Sequence, residues 1–250
     1  MSILLCFFIL LLGYLVFGIS FYFLKRREEL KTIKINCLPV VAMMILCGIT
    51  FLGRMLIPYL SPTLSLWITI PDQLKNVDKV ATIQFSFDFL FLMILILIGY
   101  IDYKKQIIPN ILNGLIIVLG VLMLICDIIL PFIVSKMFAG QSISKEVITE
   151  TTSFPEHIIG LFILSIPLVI IGIFYKGSFG MGDVKLLASA GFFMGWKDIV
   201  MGTFLGSFIA ATICIISLIR HKMELKDKIA FGPYLCMGMA IVRLINWFMI

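Results

Sequence analysis

Four aspartates lie within or beside the apolar stretches of this 250-residue chain, and they are its best candidates for chemistry: Asp88, Asp102, Asp127 and Asp183. An ionisable side chain in an apolar environment is costly, so each is a functional candidate. Two carboxylates held close together cannot easily both ionise, so one keeps a proton while the other can act as a general base. Such a pair could activate water for hydrolysis without a metal or a cofactor.

The residues around Asp183 are suited to such a site. Gly180 and Gly182 flank Met181 immediately before the acid. Glycine allows another chain to approach closely, so this backbone suits an extended peptide docking beside the carboxylate. The same pattern is typical of a tight loop between helices, with Asp183 capping the second. Lys185 either shapes the site or anchors the helix at the membrane surface.

The composition indicates what surrounds these acids. Hydrophobic residues make up 61% of the chain and charged residues 14%, and the mean hydropathy is +1.14. Soluble domains carry about 25% charged residues, so the chain is predicted to be an all-α, polytopic membrane protein. The formal net charge of +6 is interpreted as a cytoplasmic excess of Lys and Arg rather than a nucleic-acid site. The six cysteines include no C-x-x-C pair, so no zinc site or other metal site is predicted.

Eight apolar stretches predict about eight transmembrane helices, at residues 3–24, 37–57, 84–101, 108–134, 157–175, 184–196, 198–219 and 231–250. The sixth is short, so it is either tilted or joined to the seventh through a bend near Trp196. If the N-terminus is outside, the four cytoplasmic loops hold 13 of the 20 Lys and Arg residues. The positive-inside rule therefore predicts that both termini are extracytoplasmic. The outer loops Pro58–Ile83 and Ser135–Glu156 are interpreted as connectors. We predict two parts, an N-terminal helix pair with its outer loop (1–83) and a six-helix catalytic domain (84–250).

This topology separates the four acids by depth. Asp102 closes the third stretch and Asp183 opens the sixth, both on the cytoplasmic side. Asp88 lies 14 residues before Asp102, which is about 21 Å along a helix. Asp127 also falls near the outer face. The topology therefore predicts that Asp102 and Asp183 form the pair, and that Asp88 and Asp127 have structural or interfacial roles.

Three ordered motifs carry a resemblance to a known family. They are Asp102 followed by Pro109-Asn110, then Gly180-Met181-Gly182-Asp183-Val184-Lys185-Leu186 with Gly191 and Gly195, and lastly Phe231-Gly232-Pro233. From about residue 90 to 250, the chain resembles the type IV prepilin leader peptidases, which belong to the GxGD class of intramembrane aspartyl proteases.

The resemblance implies an aspartic endopeptidase that uses Asp102 and Asp183 as catalytic residues and needs no cofactor. It implies that the other motif residues bind substrate or shape the site, namely Gly180, Gly182, Lys185, Pro109, Gly232 and Pro233. The implied substrates are prepilins or pseudopilins with a short basic, class III-type leader, cut after a glycine at the cytoplasmic face of the bacterial plasma membrane. Membrane lipids are the other expected partners, and nucleic acid is not.

The chain departs from many family members in its first third. Those members carry a cytoplasmic domain with paired C-x-x-C motifs and N-methyltransferase activity between the first two spans. This position holds only Lys25–Lys34 here, so a peptidase without the methyltransferase is predicted. Two other hypotheses stay open: a transporter coupled to ions through its carboxylates, and an inactive relative of the peptidase that serves as a membrane scaffold.

Overall fold

The computed structural model describes residues 74–137, 154–175, 180–220 and 230–249, and all regular structure in these ranges is α-helical. The helices are α1 (Leu74–Lys105), α2 (Asn110–Met137), α3 (Phe154–Ile163), α4 (Ser165–Phe174), α5 (Met181–Met194), α6 (Trp196–Ile219) and α7 (Gly232–Met249). The prediction of an all-α fold is therefore confirmed for these parts of the chain.

The chain divides into two compact units between Leu97 and Ile98, within α1. In the first unit, the described residues form a single helix that begins at Leu74. Its first ten residues were predicted as the end of the outer loop Pro58–Ile83, and that boundary was wrong. Half of them are polar, but they contain no proline or glycine, so nothing in them stops a helix. The predicted division into 1–83 and 84–250 stays a prediction, and most of its first part lies outside the described residues.

In the second unit, α5 packs between α2 and α3. A Cβ atom at Gly120 of α2 would lie 2.8 Å from the ring of Phe192 in α5. On the other side, Gly160 of α3 lies so close to Gly191 of α5 that a Cβ on either would overlap the carbonyl oxygen of the other. Two glycines facing each other thus let the backbones of α3 and α5 touch.

Helices α6 and α7 cross in the same way. Gly202 and Gly206, spaced four residues apart on α6, meet Gly238 of α7, where a Cβ would overlap the α6 backbone. Small residues at this spacing let two helices pack closely within a bilayer. Phe204 and Phe208 of α6 are 71% and 66% exposed, and side chains of this kind suit contact with lipid tails.

The short sixth stretch is a separate helix. α5 has 14 residues and ends at Gly195, whose φ of +84° is one that glycine adopts readily. Gly195 also precedes the first residue of α6, and Ile199 of α6 lies against Gly191 of α5. The chain therefore reverses one residue before Trp196, where a bend was predicted.

Three segments of the described chain are long and apolar enough to cross a membrane: Ser86–Lys105, Phe154–Phe174 and Trp196–Ile219. The second comprises α3 and α4, which meet at Leu164. Asn110–Cys126 is a shorter apolar helix. These helices and the composition define a membrane protein. The count of eight spans stays a prediction, and the first two predicted spans lie outside the described residues.

Candidate active site

Asp102 lies one turn before the end of α1 and is buried, with 5% of its surface exposed. The backbone N–H of Gly232, the first residue of α7, donates a hydrogen bond of 3.1 Å to its Oδ2 atom. A Cβ atom at position 232 would lie 2.6 Å from Oδ2 and 2.9 Å from Cγ of Asp102. Only glycine therefore allows the backbone at position 232 to come this close to the carboxylate. Gly232 is also the first residue of α7, and a helix N-terminus stabilises negative charge.

The first turn of α7 is held against α1. Pro233 and Cys236 of α7 lie beside Gly99 of α1. A Cβ atom added at Gly99 would be 3.6 Å from the Cα of Pro233 and 3.5 Å from the Cβ of Cys236. The Phe231 carbonyl accepts the first backbone hydrogen bonds of the helix. Proline has no N–H to donate, and none is needed in a first turn. The motif Phe231-Gly232-Pro233 thus starts α7 beside the Asp102 carboxylate.

Asp183 is the third residue of α5, and its backbone N–H donates to the Gly180 carbonyl at 3.0 Å. The N-cap is Gly180 rather than Asp183, so the hypothesis that the aspartate caps this helix was wrong. A Cβ atom at Gly180 would lie 3.1 Å from Oδ2 of Asp183. Asp183 precedes the apolar stretch 184–196. Burial, with a smaller contribution from the negative charge of Asp102, raises the pKa of its carboxyl to about 6.

The start of α2 packs beside the same turn of α5. A Cβ atom at Gly182 would lie 3.2 Å from the Cβ of Ile108. The ammonium group of Lys185 donates a hydrogen bond of 3.2 Å to Oδ1 of Asn110. Pro109, directly before α2, accepts backbone hydrogen bonds from its first turn. The second motif is thereby attached to the Pro109-Asn110 element of the first.

Together these contacts gather the three motifs at one end of the second unit. The negative charge of Asp102 contributes to the raised pKa of Asp183, so the two carboxylates lie near enough to interact. Two interacting carboxylates that share a proton can serve as general base and general acid. Within the described ranges, no group of three or more His, Cys, Asp or Glu side chains is arranged to hold a metal ion.

The other two aspartates lie elsewhere on α1 and α2. Asp88 is buried in α1, 14 residues before Asp102 in the sequence. Asp127 lies well along α2, and its side chain is outside the described residues. Their structural or interfacial roles stay predictions.

A polar network at the opposite end of these helices was missed from the sequence. Asp198 of α6 pairs with Arg243 of α7 at 3.5 Å and accepts a hydrogen bond of 2.9 Å from Asn246. His157 of α3 is buried, and its Nδ1 lies 2.7 Å from the Phe192 carbonyl oxygen of α5. An arginine inside an apolar helix was the available signal, because such a charge normally has a partner.

A polar residue beside the site was also missed. Asn113 of α2 is 4% exposed, although an amide in so apolar a helix could have been noticed in the sequence. The amide could have been flagged by the same reasoning that selected the aspartates, because a buried polar group requires a partner.

Comparison with known proteins shows the family to which the chain belongs. The family model described as the type IV leader peptidase family matches residues 89–215, about half of the chain and a range that includes both Asp102 and Asp183. The chain belongs to this family, which confirms the family resemblance. The matched range contains the first two motifs, and Phe231-Gly232-Pro233 lies beyond it.

Several curated proteins named prepilin leader peptidase/N-methyltransferase are similar to this chain. The one from Legionella pneumophila is 27% identical over 176 residues, covering 67% of this chain and 54% of that protein. The one from Escherichia coli (strain K12) is 36% identical over 67 residues, covering 27% and 29%. The one from Pseudomonas aeruginosa is 37% identical over 63 residues, covering 25% and 22%. The chain thus spans about half or less of the length of these relatives. No solved structure matches it.

Proposed function

We propose that this protein is a membrane-embedded aspartic endopeptidase that removes the leader of prepilin-like proteins. The observation that carries the proposal is the position of the Asp102 carboxylate at the N-terminus of α7, 3.1 Å from the backbone N of Gly232 and near enough to Asp183 for its negative charge to contribute to the raised pKa there. Membership of the type IV leader peptidase family supports it, as do the printed names of the relatives.

In the proposed mechanism, the two aspartates have different tasks. The N–H of Gly232 donates a hydrogen bond to Asp102 and so opposes the effect of burial on its charged form. We therefore assign Asp102 as the general base that takes a proton from a bound water. Asp183, with its raised pKa, holds the shared proton and donates it to the oxygen of the scissile carbonyl. When the tetrahedral intermediate collapses, the proton on Asp102 passes to the leaving amine, the C–N bond breaks, and one hydroxyl of the intermediate returns a proton to Asp183 as it becomes the carbonyl of the product.

The remaining motif residues position this pair. Gly232 keeps the α7 N-terminus within hydrogen-bonding distance of Asp102, and Pro233 fixes the turn behind it. Gly180 leaves room for the Asp183 carboxylate. Lys185 joins α5 to Asn110 of α2, which supports a role in shaping the site and leaves open that it also anchors the helix at the surface.

The proposed substrates are prepilins or pseudopilins with a short basic leader, cut after a glycine. We place the cut at the cytoplasmic face of the bacterial plasma membrane, with both termini of a multi-pass enzyme outside. Support comes from the distribution of Lys and Arg over the predicted loops. We propose peptidase activity without N-methylation because the chain has no paired C-x-x-C motif. The comparisons give no support to an ion-coupled transporter.

Co-expression with a prepilin tests this function. Wild type should convert the prepilin to a shorter product, and mass spectrometry should find its N-terminus directly after a glycine, without an added methyl group. Asp102→Asn and Asp183→Asn should each leave the prepilin uncut, while Glu156→Gln, which removes an acid from an exposed ion pair with Lys197, should process it. Processing by either of the first two variants at the wild-type rate would contradict the proposal.

A further inference from the structure

Asn113 is a buried polar side chain whose hydrogen-bonding groups are unused. It lies in the first turn of α2 and is 4% exposed, and neither its Nδ2 nor its Oδ1 has a hydrogen-bond partner in the part of the chain that the structure describes. Burying an amide without partners is unfavourable, and it is rare in proteins. The side chain therefore calls for an explanation other than support of the fold.

Asn113 lies on the face of α2 that packs against α5. Asn110, three residues earlier, bonds Lys185, and Gly120, seven residues later, contacts Phe192. Positions three and seven residues apart share one side of a helix. The contacts between α2 and α5 advance in the same direction along both helices, from Ile108 beside Gly182 to Gly120 beside Phe192.

This register places Asn113 level with residues 185–188 of α5, about one helical turn, or ~5 Å, beyond Asp183. From Asp183, α5 runs into the apolar part of the unit, and Asn113 lies in that direction. If a peptide is cut at Asp183, the residues that pass Asn113 are those of its hydrophobic segment, just after the scissile bond.

The chemistry of a primary amide fits a peptide backbone at that position. A helix must be opened before one of its peptide bonds can be attacked, and this frees backbone N–H and C=O groups in an environment without water. Each such group costs several kcal/mol if it stays unpaired in a bilayer. An asparagine side chain offers a donor and an acceptor together, so it can pair with both groups of the opened backbone.

We propose that the Asn113 amide binds the substrate backbone just beyond the scissile bond and holds that segment extended across the aspartates. The inference rests on the proposed peptidase function. It assigns to α2 a substrate-binding residue in addition to the motif residues, and it accounts for a buried amide whose two groups have no partner among the described residues.

Two substitutions test the proposal with purified protein and a synthetic prepilin peptide. Asn113→Leu removes the amide while keeping the branched shape of the side chain, and Asn113→Ala removes it while leaving space for the substrate. Both should lower kcat/KM by about tenfold or more, as expected for the loss of one to two hydrogen bonds. Asn113→Leu should also leave the midpoint of thermal unfolding unchanged or raised, because it removes an unpaired buried group.

Thr203→Val is the matched control. The Oγ1 atom of Thr203 in α6 is likewise buried without a partner among the described residues, and Thr203 belongs to none of the three motifs. Its replacement should leave kcat/KM unchanged and the unfolding midpoint unchanged or raised.

The outcomes separate this inference from the proposed function. Wild-type kcat/KM in both Asn113 variants overturns the inference alone, as does a loss in the leucine variant only, which would show that bulk rather than the amide matters. Lowered unfolding midpoints that parallel the lost activity would show a structural role and also overturn it. If wild-type protein cuts no prepilin peptide, the proposed function and this inference fail together.

Discussion

The contact between Gly232 and Asp102 allows a quantitative prediction for Gly232→Ala. The added Cβ atom would lie 2.6 Å from Oδ2 of Asp102, whereas ordinary contacts of a Cβ begin at 3.4 Å. The carboxylate must therefore move by about 0.8 Å and lose its hydrogen bond from the α7 backbone. A misplacement of 1 Å in a catalytic site can reduce the rate by about 100-fold. In proportion, 0.8 Å corresponds to about 40-fold.

Gly180→Ala and Gly172→Ala complete a graded series. A Cβ at Gly180 would lie 3.1 Å from Oδ2 of Asp183, so a shift of about 0.3 Å suffices and a loss of about fourfold is expected. No atom lies within 4 Å of a Cβ at Gly172 in α4, so that variant should keep full activity and gain about 0.5–1 kcal/mol in stability from alanine's helix propensity.

Initial rates of peptide cleavage by purified variants measure this series, with the unfolding midpoint of each variant as the control for folding. The expected order of activity is Gly172→Ala, then Gly180→Ala, then Gly232→Ala. Wild-type activity in Gly232→Ala would refute the argument that the α7 N-terminus positions Asp102. A loss in Gly232→Ala that follows a large drop in the unfolding midpoint would refute the assumption that the substitution acts on the carboxylate alone.

Three further predictions concern packing, charge and pH. Gly160→Ala and Gly191→Ala should each destabilise the fold by about 1–3 kcal/mol, because each added Cβ would overlap the facing backbone. Unfolding midpoints measured in detergent and close to that of wild type would contradict this. Arg243→Met should destabilise by about 1.5–3 kcal/mol, because it leaves the partly buried Asp198 with Asn246 as a hydrogen-bond partner but without its cation. Adding Asp198→Asn should weaken that effect, and a double-mutant cycle without coupling would show that the ion pair is unimportant. Because the pKa of Asp183 is raised to about 6 and its protonated form is the proposed acid, cleavage should slow as the pH rises above about 6. A rate independent of pH between about 5 and 9 would exclude this proton donor.

The motifs were predictable because their residues are close in sequence and their types are unusual for apolar helices. Gly180, Gly182 and Asp183 stand together, and an acid beside glycines is visible without a fold. The contact of Gly232 with Asp102 was not predictable from the physics of the chain alone, because 130 residues separate them. The order of the motifs indicated only that they belong together. The packing of α7 on α1 explains why, because it brings Gly232 to Asp102.

Other features could not be predicted because each residue of a contacting pair, taken alone, has an ordinary explanation. Asp198 and Arg243 both fit residues at a membrane interface, and only the crossing of α6 and α7 makes them a pair. Gly160 and Gly191 each lower the helix propensity of their segment, and only the contact between the two helices shows why glycine is needed there. The beginning of α1 was missed for a different reason, since Leu74–Ile83 is too polar to resemble a membrane span.

The central claim is that Asp102 and Asp183 act as one catalytic unit, and a double-mutant comparison tests it most directly. Initial cleavage rates of a prepilin peptide should be measured for wild type, Asp102→Asn, Asp183→Asn and the double variant, each shown to be folded. Residues that act as a unit are strongly non-additive, so each single variant should fall to the same residual rate as the double variant. A single variant that retains substantial activity, or losses that multiply in the double variant, would contradict the dyad.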